Sequence, residues 1–218
     1  MTQIKRPSEA FIESLLERKI PLRVEFMTSG MKLQDLPEIS LPEIALVGRS
    51  NVGKSSLLNF LSGQRQLARV SNTPGRTQTI NLFSVEKSSF VLADLPGYGY
   101  AESAKETQAH WQNAMSDYFQ YRKNLVAVFF LVDIRREILP EDEALSRWLQ
   151  DLGIKVTAIQ TKSDKVNKSK LPEIRIKQSH GLALSTAQII TTSAEKKIGL
   201  SDILIHTSSI LSNIENDE

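Results

Sequence analysis

The sequence predicts a three-layer α/β domain built on a mostly parallel sheet. Three observations carry this. Apolar strand-like runs alternate with helix-like segments along the chain. The run Leu125–Asp133 (LVAVFFLVD) is apolar almost throughout, as a strand covered on both faces must be. A glycine-containing loop stands between the first buried strand and the helix that follows it. The 218 residues are 40% hydrophobic and 24% charged, which suits one domain with a sizeable core and excludes a disordered, collagen-like or disulfide-scaffolded chain. Aromatics are only 6%, so that core is mostly aliphatic.

In order, residues 8–19 read as an amphipathic helix, followed by an irregular lead-in through Pro37 and Pro42. Together, residues 1–42 are an N-terminal extension to a domain spanning 43–218. Glu43–Gly48 (EIALVG) is a buried strand and 54–61 a helix directly after it. Residues 79–85 and 89–93 are two strands joined by a short charged turn at 86–88, a link tight enough to require an antiparallel hairpin. Residues 103–122 form a long helix, Leu125–Asp133 a strand, and 140–152 a helix whose first turn holds Pro and acidic residues. Strand 155–160, a polar stretch to His180, strand 188–192 and a final helix at 200–214 complete the chain.

Cysteine is absent, which removes disulfides, thiolate nucleophiles and cysteine metal sites and fits a cytoplasmic setting. The N-terminal stretch does not read as a secretory signal, and Leu125–Asp133 is too short to span a bilayer, so no membrane partner is expected. Net charge is +2 and the pI about 8.8, a mildly basic balance.

Gly48-Arg49-Ser50-Asn51-Val52-Gly53-Lys54-Ser55 matches G-x-x-x-x-G-K-[ST], with the required strand before it and helix after it. The glycines let backbone N–H groups converge on phosphate oxygens, and the helix adds its positive dipole end. Lys54 supplies an ammonium for β- and γ-phosphates and Ser55 a hydroxyl for Mg²⁺. Asp94-Leu95-Pro96-Gly97 closes the next apolar strand. DLPG is good turn chemistry by itself, yet one hairpin after a phosphate loop Asp94 stands where a water-mediated Mg²⁺ acid belongs. There the Gly97 N–H can face a γ-phosphate.

Between these motifs lies a polar loop containing Thr73, Gly75, Arg76, Thr77, Gln78 and Thr79, which predicts mobility. A threonine there can complete the Mg²⁺ shell. Thr77 is preferred, with Thr73 and Thr79 as competitors. Thr161-Lys162-Ser163-Asp164 follows another strand. An aspartate can accept from the two purine donors that guanine has and adenine lacks, and the Lys162 stem can lie over the base. The usual guanine motif is N-K-x-D, so Thr161 implies one missing amide contact. Thr192, Ser193 and Ala194 follow a further strand and can offer N–H groups to the guanine oxygen.

Taken together, GRSNVGKSSLLN, NTPGRTQTINLF, DLPGYGYA, LVAVFFLVDIR, QTKSDK and TTSAEKK resemble the EngB-type (YihA/YsxC) GTPases of the TrmE-Era-EngA-YihA-septin superfamily, from about residue 25 onward. The resemblance implies a P-loop NTPase fold of the Ras-like kind, with a six-stranded mostly parallel sheet in which strand 79–85 is antiparallel. It implies a GTP/GDP switch whose partner is the large ribosomal subunit or its precursor, and an association with cell division and septation. It assigns Mg²⁺ to Ser55, Thr77 and Asp94. It reads Gly75–Thr79 and Asp94–Gly97 as the two switches, with Lys54, Thr77 and Gly97 catalytic. TKSD is usual in this group.

Related proteins place an Asn at the position of Asn51 beside a K⁺ ion; the alternative is an Asn that only braces the loop. Ras-type proteins carry a water-orienting Gln after the glycine of DxxG, where this chain has Tyr98, so slow intrinsic hydrolysis is expected. A nucleoside or nucleotide kinase and a tRNA-modifying GTPase are the competing functions. Nothing demands a dimer. Arg49 and Arg76 can touch phosphate or RNA. The basic excess from Lys162 to Lys177 reads as a solvated face or as an rRNA contact.

Overall fold

The structure, a computed structural model, describes residues 4–17, 21–64, 67, 79–99 and 105–214, without the side chains of 105–112. Strands β1 (Val24–Gly30), β2 (Glu43–Gly48), β3 (Ile80–Val85), β4 (Phe90–Asp94), β5 (Leu125–Asp133), β6 (Lys155–Thr161) and β7 (Ile189–Thr191) lie in the order β1-β3-β4-β2-β5-β6-β7. The pairs β4–β2, β2–β5, β5–β6 and β6–β7 are parallel, and β3 runs against both of its neighbours. The antiparallel hairpin expected around residues 86–88 is β3–β4.

Helices α1 (Glu9–Glu17), α2 (Lys54–Ser62), α3 (Lys105–Tyr121), α4 (Pro140–Asp151), α5 (Leu171–Gly181) and α6 (Leu200–Ser212) cover the sheet. On one face α1, α2 and α6 set Ile12, Leu15, Leu58, Leu61, Leu204 and Leu211 against Ile44, Leu46 and Phe129. On the other, Tyr118 and Phe119 of α3 and Leu149 of α4 meet Val47, Val128 and Phe130. Each fully buried leucine contributes roughly 2 kcal/mol of transfer free energy, so the mostly aliphatic core suffices without many aromatic rings.

Two elements depart from the expected organisation. The sheet has seven strands, not six, because residues 24–30 of the supposed irregular lead-in form edge strand β1. Its alternation is broken by a bulge at Met27, where the register jumps between Phe26 and Thr28, and Phe26 is exposed, packing edge-on against Phe83 across the strand pair. The polar stretch before His180 contains α5, whose inward residues are Gln178 and Ser179 instead of an apolar stripe. Gln178 donates to the Asp133 and Arg136 carbonyls at 3.2 and 2.8 Å and accepts from Gln160 at 2.9 Å.

At the foot of the sheet, Glu43 is fully buried and fully engaged. Tyr118 donates to its Oε1 at 2.5 Å, Arg122 donates at 3.0 and 2.8 Å, and the Asn124 amide lies at 3.5 Å. Arg122 also donates to the Pro37 carbonyl at 2.8 Å and Asn124 to that of Leu41 at 2.8 Å, which ties the lead-in to the domain.

Candidate functional site

The site lies at the C-terminal ends of β2, β4, β5, β6 and β7, the edge where open α/β sheets take ligands. All six residues of β2 are buried, so Gly48 is delivered rigidly and residues 49–53 must turn to reach α2. Gly53 makes the turn at φ +117°, a left-handed conformation that side chains rarely adopt, and α2 begins at the next residue, Lys54. Asn51 also sits at positive φ, +61°. The helix start is therefore presented to the edge without a side-chain cap.

In the β2–β4 register, Leu46 stands opposite Asp94. Asp94 is 5% exposed, and its Oδ1 has no hydrogen-bond partner among the described residues. Burial pushes its carboxyl up to about 6, against the pull of the Lys54 ammonium. Lys54 is half-buried, and burial lowers its pKa, partly offset by Asp94. An orphaned buried carboxylate oxygen is costly in a finished protein. It is also the acceptor that a hydrated divalent cation needs, so Asp94 and the Ser55 hydroxyl fit Mg²⁺. Gly97 packs directly on the loop. A Cβ there would lie 3.0 Å from the Ser50 Cα and N, and the Ser50 Oγ is 3.5 Å from the Gly97 carbonyl. Leu95 and Pro96 bridge the two, Leu95 N donating to the Leu46 carbonyl at 3.1 Å.

At the other end, Thr161 ties the two halves together. Its Oγ1 lies 2.7 Å from the Val52 carbonyl and 3.1 Å from that of Val132, one proton serving two acceptors. The residue read as a lost amide contact is thus a buried bracket between the phosphate loop and the TKSD turn. Lys162, at φ +62°, donates through Nζ to the Asn51 carbonyl at 2.9 Å and to Asp133 Oδ2 at 3.0 Å, which draws its stem along the loop. Burial pushes the Asp133 carboxyl up, but hydrogen bonds from Arg135 and Lys162 outweigh it and hold it well below the usual carboxylate range.

The Asp164 side chain is 4% exposed. Ser193 Oγ donates to its Oδ1 at 2.5 Å. Among the described residues its Oδ2 takes no aligned hydrogen bond, although Lys165 Nζ lies 3.1 Å away. The Ser193 hydroxyl keeps the carboxyl ionised well below neutrality, opposing burial. Ser163 N donates to the Thr192 carbonyl at 3.0 Å, and Thr192 N to that of Gln160 at 2.7 Å, so the 161–164 and 192–194 turns form one unit. Lys196 N donates to Ser193 Oγ at 3.0 Å, which curls the chain around Ala194.

Of the sequence-predicted residues, the structure brings together Gly48 to Ser55, Asp94 to Gly97, Thr161 to Asp164 and Thr192 to Ala194. Thr79 precedes β3, its Oγ1 3.2 Å from Asn81 Oδ1. Thr73, Gly75, Arg76, Thr77 and Gln78 lie outside the described residues. Asp133 was not singled out as a site residue; an acid ending a nine-residue apolar strand is the signal that marks it. Tyr98 faces inward, with its hydroxyl 2.7 Å from Asp142 Oδ1.

A mostly parallel sheet with a phosphate loop at its carboxyl edge and a largely buried carboxylate in the turn after β6 defines a P-loop GTPase. Residues 43–162 match the profile of the 50S ribosome-binding GTPase family. The chain is 42% identical over 198 residues to "Probable GTP-binding protein EngB" of Desulfitobacterium hafniense (strain DSM 10664 / DCB-2), covering 90% of this chain and 97% of the relative. It therefore belongs to the EngB family of GTP-binding proteins. Among solved structures, a probable GTP-binding protein engB shares the fold with a TM-score of 0.65 at 22% identity, over 78% of this chain and 98% of the other. Era in complex with MgGDPNP and nucleotides 1506–1542 of 16S ribosomal RNA has a TM-score of 0.58 at 25% identity, over 81% of this chain and 58% of the other. Family membership sets the nucleotide-kinase reading aside.

Proposed function

We propose that this protein binds GTP and GDP between the Gly48–Ser55 loop and Asp164, hydrolyses GTP, and works as a nucleotide-dependent switch in assembly of the large ribosomal subunit. The observation that carries the reading is the Thr161–Val52 bracket. It joins an ionised Asp164, whose Oδ2 takes no aligned hydrogen bond among the described residues, to the glycine-turned loop ahead of α2, so one molecule with an anionic tail and a base bearing two adjacent donors suits both. Guanine has those donors and adenine leaves the carboxylate unpaired.

Loop N–H groups and Lys54 hold the phosphates, while Lys162 lies along the purine and Asp164 reads its edge. Ser55, Asp94 and, from the first switch, Thr77 would hold Mg²⁺. When bound, that ion supplies charge neutralisation on the β- and γ-phosphate oxygens. The Gly97 N–H donates to the γ-phosphate, and positioning with electrostatic stabilisation accounts for catalysis. The Tyr98 hydroxyl is engaged with Asp142 and is a phenol where Ras-type proteins carry an amide, so slow turnover by the protein alone is expected. A K⁺ ion held near Asn51 would supply the missing positive charge. Hydrolysis faster in KCl than in NaCl at equal ionic strength is expected, and equal rates remove K⁺ from the reading.

The profile match to 50S ribosome-binding GTPases and the likeness to Era support a ribosomal RNA-containing partner; a cytoplasmic setting and a dependence of cell division and septation on it are carried by the EngB resemblance. The γ-phosphate orders both switches and hydrolysis releases them. Co-sedimentation with large-subunit particles is expected with a GTP analogue and weaker with GDP; equal pelleting in both states and without nucleotide rejects the switch. The test of the site itself is titration of wild type and Asp164→Asn with GTP, XTP and ATP. Preference is expected to move from GTP to XTP, and an unchanged preference removes Asp164 as the base reader.

A further inference from the structure

The second switch is fastened through the residue that follows Gly97. Tyr98, next to Gly97, is 8% exposed and packs edge-on against Phe130 with ring centroids 6.2 Å apart. Its hydroxyl donates to Asp142 Oδ1 at 2.7 Å. The other Asp142 oxygen accepts from the Leu139 N–H at 2.9 Å, so this acceptor is locked to the first turn of α4. The phosphate-loop residue Arg49 lies over the same ring, its Cζ 5.9 Å from the centroid. Its Nη1 donates to Glu141 Oε2 at 2.9 Å and stands 3.7 Å from Asp142 Oδ1.

The backbone completes the fastening. Ser50 N donates to the Tyr98 carbonyl at 3.0 Å, Tyr98 N approaches the Gly48 carbonyl at 3.4 Å, and a Cβ at Gly99 would fall 2.7 Å from the Arg49 guanidinium. The loop after β2, the residue after DLPG and the N-terminus of α4 therefore meet in one polar cluster.

We infer that Tyr98 and Asp142 are positioning residues for triphosphate recognition: their bond holds the Gly97 N–H against the phosphate loop before a γ-phosphate arrives. The inference rests on the reading of Gly97 as a γ-phosphate donor given above. Holding a donor in place ahead of the ligand lowers the ordering cost at binding. By linkage, the γ-phosphate then stabilises the bond and fixes the start of α4, so nucleotide state reaches a surface turn whose Glu141 is 70% exposed.

The experiment compares affinities for GDP and for a non-hydrolysable GTP analogue with Mg²⁺ in wild type, Tyr98→Phe and Asp142→Asn. Tyr98→Phe removes one hydroxyl and keeps the ring. The GTP-analogue affinity is expected to fall about fivefold while GDP affinity stays within about twofold. Amide exchange at residues 97–99 of the GDP form is expected to quicken. Asp142→Asn is expected to shift the ratio in the same direction, which guards against one variant folding poorly. An unchanged ratio in both variants, or an equal loss for both nucleotides, overturns the positioning role. Wild type that binds neither guanine nucleotide is a different result, visible before any substitution, and takes the site reading down with it.

Discussion

Two carboxylates on neighbouring parallel strands are buried alike and treated oppositely. Glu43, at the foot of β2, is 0% exposed and meets donors from Tyr118, Arg122 and Asn124. Asp94, at the head of β4, is 5% exposed and has one oxygen with no hydrogen-bond donor among the described residues. Burial therefore does not mark an acid that meets a ligand; an unmet acceptor does. A satisfied buried ion holds chain segments together, whereas an unsatisfied one persists because a ligand completes it.

The largest effect that sharpens this contrast is expected at the foot. Glu43→Ala leaves the Arg122 guanidinium and the Tyr118 hydroxyl in the core without their shared acceptor. Unfolding in urea is expected to show a loss of about 3–5 kcal/mol, and a loss below about 1 kcal/mol would place Glu43 among the dispensable ion pairs.

The head behaves with the opposite sign. The Asp94 carboxyl is pushed up to about 6, so the fold favours its uncharged form. That contribution is whole below the unfolded value near pH 4 and is lost as pH climbs through 6. Metal-free Asp94→Asn carries no such loss and is expected to be about 1–2 kcal/mol more stable than wild type at pH 7 and no more stable at pH 4. The same substitution is expected to abolish the gain in GTP affinity that Mg²⁺ provides. Thermal melts across this pH range with and without GTP and Mg²⁺ check both halves, and a variant less stable than wild type at pH 7 breaks the contrast.

A smaller effect is expected at Thr161, which is satisfied like Glu43 yet sits at the head. Thr161→Val removes the hydroxyl that reaches Val52 and Val132. It is expected to cost about 1 kcal/mol and to speed nucleotide release, read by displacement of a fluorescent GDP. Unaltered release assigns the bracket to the fold alone.

The motifs whose chemistry is local in sequence were legible. The run from Gly48 to Ser55 announces strand, turn and helix start within a dozen residues, and Asp94 ends an apolar strand. What stayed hidden depends on distant partners or on broken periodicity. The hydroxyl of Thr161 finds a carbonyl 109 positions away, which no spacing rule foretells, so a structural gain read as a lost contact. Tyr98 and Asp142 are 44 positions apart. Strand β1 escaped because the Met27 bulge disrupts its alternation and Phe26 faces outward. Helix α5 escaped because its buried residues are Gln178 and Ser179, which look like a polar loop. Asp133 was read only as the end of a strand, although its charge orients Lys162.

Strand β1 has a further bearing on how the chain can be handled. By pairing with β3 it gives that strand neighbours on both flanks. Shortening the protein to begin after Gly30 would bare a row of unused amide and carbonyl groups on β3, a strand that itself carries Leu82 and Phe83. Such a row recruits strands from other molecules. Truncated preparations would then self-associate by strand pairing before their nucleotide chemistry could be assayed.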